Sequence, residues 1–291
     1  MDPSQTGEFI DVDGARVHMR RIGAGPPLLL IHGLGSCGAD WAFQVPALAP
    51  HFELMLPDLP GSGHSTALPE GVTIDRMAGR LWQSLDRLGV ERPAVIGFSL
   101  GGAVALEMAL QRPAAVARLA LLNSLPSYRV DHWRKAFEVL AQITLVRLLG
   151  LKRTGRIVAG RLFPPPVQAP MRERVVQVLA ANDRRQYLAT IRALVGWCAL
   201  DRLHRLKVPT LMLASEHDYT PLAEKRRFAE HMGAHFHWVR GARHGLPFDS
   251  IVATNAAVLA WLRGDPVDCA LCADDPECSP AYAAFGAYQS I

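Results

Sequence analysis

Ala94-Val95-Ile96-Gly97-Phe98-Ser99-Leu100-Gly101-Gly102-Ala103-Val104-Ala105-Leu106-Glu107-Met108-Ala109 decides how this 291-residue chain is read. The apolar run at 94–96 predicts a buried strand and the Ala-rich run at 103–109 predicts a helix. Between them lies G-x-S-x-G, in the strand–turn–helix context that gives the pattern meaning. So tight a turn leaves little room for a Cβ beside the serine, which accounts for the glycines. It lifts the Ser99 hydroxyl above the strand end and sets a helix start beneath it. Ser99 is therefore a candidate nucleophile. A chemically silent Gly-rich turn has the same five residues, so the reading depends on partners elsewhere in the chain.

A nucleophilic serine needs a base to take its proton and an acid to orient that base. Val208-Pro209-Thr210-Leu211-Met212-Leu213-Ala214 reads as a buried strand running into Ser215-Glu216-His217-Asp218. Ala234-His235-Phe236-His237-Trp238-Val239 reads as the next strand, running into Gly241-Ala242-Arg243-His244-Gly245. Asp218 and His244 each fall just beyond a strand's C-terminal end, the edge where open α/β sheets carry their sites. Glu216, two residues early, and Asp249, expected inside the last helix, are the competing acids.

The third requirement is a pair of donors for a developing oxyanion. Pro27-Leu28-Leu29-Leu30-Ile31 is a short apolar strand entering His32-Gly33-Leu34-Gly35. The backbone N–H of Leu34 and that of Leu100, at the helix start, are the expected donors. Gly33 and Gly35 are expected to admit the substrate closely, and His32 to brace the loop rather than act as a base.

These motifs together resemble the α/β-hydrolase family, over roughly residues 8–263. Asp58-Leu59-Pro60-Gly61-Ser62-Gly63-His64-Ser65 is similar to the family's D-x-x-G-x-G-x-S turn, and Trp41 falls where members often carry an aromatic. The resemblance implies a mostly parallel central sheet with helices on both faces, an inserted helical cap, and a Ser99-His244-Asp218 triad that needs no cofactor. Serine at position 99 sets the chain apart from the haloalkane dehalogenase and epoxide hydrolase branches, which use aspartate there. No G-x-G-x-x-G, Walker A or H-E-x-x-H pattern competes.

The rest of the chain has the expected rhythm. Phe9 to Asp13 and Ala15 to Arg20 predict a hairpin turning at Asp13-Gly14. Strands near 28–32, 53–57, 94–98, 117–122, 209–214 and 235–239 alternate with helices near 72–89, 99–111, 221–232 and 249–263. With 49% hydrophobic residues the chain can bury a large core. The N-terminus has neither a basic n-region nor an apolar h-region, and no apolar stretch approaches the ~20 residues that span a bilayer. A cytoplasmic location is expected.

The rhythm breaks between Asn123 and Val208, a stretch too long and too apolar for a loop. The expected domains are a core of 1–123 plus 208–263, a helical cap at 124–207 and a Cys-containing tail at 264–291. Helical character is clearest at 136–151, 169–181 and 184–199, with Pro164-Pro165-Pro166 between the first two. Apolar positions around most of the first helix suggest burial on two sides. The segment 124–207 holds sixteen Lys and Arg against five Asp and Glu, a net +11, which leaves −7 for the remainder of a chain that is +4 overall.

A basic lid on an acidic body suits an acidic carrier protein, an anionic membrane surface or an anionic small substrate; a solvated Arg-rich surface is the plain alternative. Nucleic acid is disfavoured, since no binding motif is present. Size, elbow and basic cap are similar to those of the pimeloyl-[acyl-carrier protein] methyl ester esterases, which use cap arginines to hold an acidic acyl-carrier protein. No individual arginine here aligns with theirs, so none is assigned.

Cys269, Cys272 and Cys278 form C-x₂-C-x₅-C in the tail, while Cys37 and Cys198 lie apart. Three thiols without a nearby histidine make a poor zinc site, and an odd count argues against a disulfide framework. His235 and His237 share a strand face, as ligands would, yet an exposed face explains them equally well. No metal and no cofactor are assigned.

The function expected from the sequence is a serine carboxylic-ester hydrolase acting on a small or medium-chain acyl ester. Its sharper form is a methyl ester carried by an acyl-carrier protein. The alternatives are a C–C bond hydrolase or an acyltransferase on the same triad, a general carboxylesterase or lipase, and a non-catalytic ligand-binding member of the fold.

Overall fold

The computed structural model describes residues 7–267. Eight strands form one sheet: β1 (Glu8–Val12), β2 (Ala15–Ile22), β3 (Pro27–Ile31), β4 (Glu53–Pro57), β5 (Ala94–Phe98), β6 (Leu119–Leu122), β7 (Thr210–His217) and β8 (His235–Arg243). Their order is β1-β2-β4-β3-β5-β6-β7-β8. β1 and β2 pair antiparallel, as do β2 and β4; every other neighbouring pair is parallel. The hairpin turns where predicted: Asp13 and Gly14 both have positive φ, 40° and 77°, the twist a two-residue hairpin turn requires.

The helices are α1 (Val45–Leu48), α2 (Ile74–Arg87), α3 (Leu100–Gln111), α4 (Trp133–Leu162), α5 (Ala169–Ala181), α6 (Arg184–Gly196), α7 (Leu222–Met232), α8 (Leu246–Asp249) and α9 (Ile251–Arg263). The strands are buried on both faces and so read as unbroken apolar runs rather than alternating ones. Leu29, Ile31 and Val95 point into a core shared with α2 and α3, while Leu28, Leu30 and Ile96 point into one shared with α9. α3 is buried along nearly its whole length, and its Glu107 is matched by Arg202 at 2.7 Å and by the Trp197 indole N–H at 2.8 Å. The protein is thus an α/β fold, with a mostly parallel sheet covered on both faces.

Strand order reverses between β3 and β5, which lie side by side with Ile31 opposite Gly97. Crevices at such reversals are where ligands sit in open α/β sheets. Here the loop after β3 and the turn after β5 meet.

Between β6 and β7 the chain is mainly helical, but several bounds differ from expectation. α4 runs on to Leu162, with a break at Gly150 (φ 72°, ψ 170°) where the chain leaves helical geometry. α6 stops at Gly196, and Trp197 is already extended. The idea that the first of these helices is buried on two sides fails for its N-terminal half. Trp133, Phe137, Leu140 and Leu148 are 69, 68, 62 and 78% exposed. Val139, Ile143 and Val146 face Tyr187, Leu188 and Ile191, so one face is packed and the opposite one is open.

The last helix also differs. Asp249 closes α8 rather than lying within α9, and its carboxylate accepts the Arg243 N–H at 3.0 Å. That bond fixes the turn behind His244 and removes Asp249 from contention as the acid. Among the described residues, no helix is long and apolar enough to cross a membrane.

Candidate active site

Ser99 sits between β5 and α3 with φ 53° and ψ −116°, a backbone conformation that non-glycine residues rarely adopt. The glycines beside it permit the turn. A Cβ at Gly97 would collide with the Gly101 carbonyl, and one at Gly101 would collide with the Ile31 carbonyl of the neighbouring strand. At Gly102 the obstacle is the Ser124 side chain. Ser99 is held from behind as well: its carbonyl accepts the Ser124 hydroxyl at 2.8 Å and its N–H donates to the Leu122 carbonyl at 2.9 Å.

The structure brings Ser99, His244 and Asp218 together. Ser99 Oγ lies 3.1 Å from His244 Nε2, and His244 Nδ1 lies 2.5 Å from Asp218 Oδ1. Because Nδ1 faces a carboxylate, it carries the proton, which leaves Nε2 free to accept the serine O–H. Asp218 is 3% exposed. Burial pushes its carboxyl up, but the hydrogen bond from His244 and the charges of His244 and Lys225 more than reverse this and hold it at about 2. Tyr219 donates its N–H to the same Oδ1 at 2.7 Å and lays its ring over His244, with centroids 4.6 Å apart. The imidazole also meets the Phe98 ring, with centroids 5.3 Å apart. Glu216 instead accepts the Gly241 N–H at 2.7 Å and stands apart from the histidine ring.

Leu34 lies in the loop that follows β3, and Leu100 directly follows Ser99. Leu100 is the first residue of α3, so its N–H is one of the four that a helix leaves without an internal acceptor. Leu34 follows Gly33 at the end of β3. The loop is braced as expected: the Nδ1–H of His32 donates to the Gly33 carbonyl at 2.8 Å, and Nε2 accepts the Leu59 N–H at 2.9 Å. Burial pulls the His32 pKa down, which suits a neutral ring with one donor and one acceptor. The Asp58 turn holds this loop in place, its carboxylate accepting the N–H groups of Gly38 at 2.7 Å and His64 at 2.8 Å.

The loop glycines also serve the packing of the loop. A Cβ at Gly33 would press on the Phe98 ring, 3.1 Å away. Gly35 has φ 72°, and a Cβ there would collide with Leu179 and come within 2.9 Å of the Tyr187 ring. The close approach is made by α5 and α6, which pack onto the loop itself.

A cavity of about 150 Å³ lies between the β3 loop and the helical segment and reaches Phe98, the residue before Ser99. Gly33, Leu34 and Phe98 line it from the sheet side, and Phe163, Met171 and Val178 from the helical side. Arg174 is also at its wall, tied to Asp40 at 3.0 Å.

Three residues that sequence reasoning missed complete the site: Asn123, Lys225 and Tyr219. Lys225 pairs with Asp218 Oδ2 and is 1% exposed, and burial draws its pKa down. Asn123, with φ 45°, donates to the His244 carbonyl at 3.0 Å. A signal for Lys225 exists in retrospect. With Ala229 and Met232 it occupies the buried stripe of α7, where a lysine is out of place without a partner. Among the described residues no cluster of His, Cys, Asp and Glu has the form of a metal site. His235 packs on Trp261. Cys269, Cys272 and Cys278 lie outside the described residues.

Comparison with known proteins agrees with this architecture. Residues 26–154 match the family described as the alpha/beta hydrolase fold. The chain is 31% identical over 228 residues to a Stutzerimonas stutzeri protein provisionally named carbamate hydrolase RutD, the match covering 74% of this chain and 83% of that one. It is 30% identical over 231 residues to a pimeloyl-[acyl-carrier protein] methyl ester esterase of Nitrosospira multiformis, covering 69% and 80%. It spans only 33% of one longer curated relative, to which it is 37% identical over 123 residues. Among solved structures, the enol-lactonase of Burkholderia xenovorans LB400 superposes with a TM-score of 0.80 at 25% identity, over 88% of this chain and 100% of that one. The chain belongs to the α/β-hydrolase family. It is a hydrolytic enzyme, with relatives named for ester, lactone and carbamate chemistry.

Proposed function

We propose that the protein is a serine carboxylic-ester hydrolase that cleaves a small or medium-chain acyl ester. Ser99 attacks the ester carbonyl while His244 takes its proton, and Asp218 holds the imidazole in the tautomer that can do so. The N–H groups of Leu34 and Leu100 receive the oxyanion. His244 then protonates the leaving alcohol and activates the water that releases the acid. The carrying observation is the unbroken path from Ser99 Oγ through His244 to Asp218, at 3.1 and 2.5 Å. No cofactor enters these steps.

Residues 124–207 act as a cap in this reading, and 1–123 with 208–263 as the core. The cavity between them takes the acyl group. It is apolar on most sides, and a cavity of about 150 Å³ is of the order that admits a benzene-sized group. A short acyl chain of about six carbons or fewer fits that space.

A second reading concerns what carries the ester. The net +11 of residues 124–207 favours an acidic acyl-carrier protein as the bearer of a methyl ester, and one relative is named for that reaction. Not all of this charge is available. Arg174 is tied to Asp40, Arg202 to Glu107, Lys135 to Asp131 and Glu224, and Arg172 to the carbonyls of Phe163 and Pro165. Arg184, Arg185 and Arg192 on α6 remain exposed. The C–C hydrolase and acyltransferase alternatives share the triad and differ only in the bond cut and in the acceptor.

The test compares hydrolysis of one medium-chain methyl ester, free and attached to acyl-carrier protein, by the wild type and by Ser99→Ala. A salt-sensitive preference for the carrier form supports the second reading. Equal Ser99-dependent rates leave a general carboxylesterase. Absence of Ser99-dependent hydrolysis of either ester refutes the esterase reading.

A further inference from the structure

We propose that Lys225 is a positioning residue for the charge relay: its ammonium fixes the second carboxylate oxygen of Asp218 and ties the loop bearing the acid to the loop bearing the base. This rests on the triad reading above.

A carboxylate has two oxygens to place. Oδ1 of Asp218 takes the His244 Nδ1–H and the Tyr219 N–H, at 2.5 and 2.7 Å. Oδ2 faces away from the histidine and meets Lys225 Nζ. With the acid 3% exposed and the lysine 1% exposed, water has no ready access to that oxygen. Unmatched, it would be a buried acceptor without a donor, and the carboxylate would be free to rotate off the imidazole.

The same ammonium donates to Asn123 Oδ1 at 2.8 Å. That oxygen also accepts the Ser215 N–H at 2.9 Å, and the Asn123 amide nitrogen donates to Ser215 Oγ at 2.7 Å and to the His244 carbonyl at 3.0 Å. Lys225 therefore touches the acid directly and the backbone of the base through a single intermediary. Three strand ends, those of β6, β7 and β8, are joined at this point.

Charge gives the device a second consequence. Without the lysine, the buried carboxylate would place its full negative field on the imidazole of His244. A lysine on the far oxygen offsets part of that field. The other groups facing this cluster do not compensate for its loss. Burial raises the pKa of Tyr128 to about 12 and lifts that of Tyr219, so both stay neutral. Arg161 of α4 acts on Tyr219 from the cap side, and Asp249 of α8 is engaged by the Arg243 N–H. Lys225 is the group whose removal changes the charge at the acid.

The experiment is the pH profile of kcat/KM for a neutral p-nitrophenyl ester, with wild type, Ser99→Ala, Lys225→Met and Lys225→Gln run side by side. Lys225→Met keeps the length of the side chain and removes its charge. The expected result is an acid limb moved to higher pH by about one unit, with kcat lowered and KM nearly unchanged. Lys225→Gln, which keeps a polar end without the charge, shows the same shift and carries the test should the Met variant not fold. A lowered plateau with an unmoved acid limb would mean a merely structural lysine and overturn the proposal, as would an unchanged profile. Failure of the triad reading looks different: wild type and Ser99→Ala then hydrolyse the ester equally well.

Discussion

Asp218 Oδ1 lies 2.5 Å from His244 Nδ1, although the two residues leave the sheet from separate parallel strands. Only the parallel pairing of β7 and β8 brings their C-terminal ends to the same edge. In the proposed mechanism the pair orders the imidazole for Ser99, whose Oγ lies 3.1 Å from Nε2. Asp218→Asn is expected to lower kcat by about 10⁴-fold, because the amide presents the wrong partner to Nδ1 and releases the wrong tautomer. Steady-state kinetics with an unchanged circular-dichroism spectrum checks this. A loss below tenfold would assign the orienting role elsewhere.

The same carboxylate makes stability depend on pH. Its folded pKa, about 2, lies below the ordinary 3.8. A depressed carboxylate stabilises the fold at every pH above its unfolded value, and that contribution disappears as pH falls through the folded value. The contribution is on the order of 2 kcal/mol. Urea unfolding should therefore show wild type losing stability between about pH 5 and about pH 2, and Asp218→Asn losing less over the same window. Parallel curves for the two proteins would contradict this.

Gly35 and Gly79 offer a paired test of backbone requirement. Gly35→Ala places a methyl group against Leu179 at a positive φ, so the β3 loop and α5 must separate. Both a lowered melting temperature and lower turnover are expected, since this loop carries the Leu34 N–H. Gly79 lies inside α2, where an added Cβ would meet nothing within 4 Å. Gly79→Ala should stabilise by roughly 0.5–1 kcal/mol with kinetics unchanged. Thermal denaturation and turnover measured on both variants decide the matter.

Val178 lines the cavity from α5, on the helical side that faces Phe98 and the sheet. Val178→Phe fills part of that space. Hydrolysis of acetyl esters is expected to persist while activity on hexanoyl and longer esters falls, the loss appearing in kcat/KM as chain length increases. A uniform change across chain lengths would place the acyl group outside this cavity.

Much of the site was legible because its parts are local. The elbow is legible since glycines at 97, 101 and 102 are forced by carbonyls and a serine side chain that a Cβ would strike. Asp218 and His244 could be placed because each follows an apolar run that can only be a buried strand. Lys225 was hidden for the converse reason. Its neighbours Glu224, Arg226 and Arg227 mark α7 as a solvent-facing helix, and only the tertiary fold shows that the lysine turns inward. Asn123 likewise reads as an ordinary strand end until its amide is seen to span three strands. The full length of α4 was hidden by Gly150. A glycine there suggests an end to the helix near Leu151, whereas the chain kinks and continues in further turns up to Leu162.

The central claim is that Ser99 is the nucleophile, and a fluorophosphonate reports on it most directly. Peptide mass spectrometry after labelling should find one adduct, on the peptide containing Ser99, formed much more slowly in His244→Ala and missing in Ser99→Ala. Equal labelling of Ser99→Ala, or an adduct on another residue while Ser99 stays unmodified, would contradict the account.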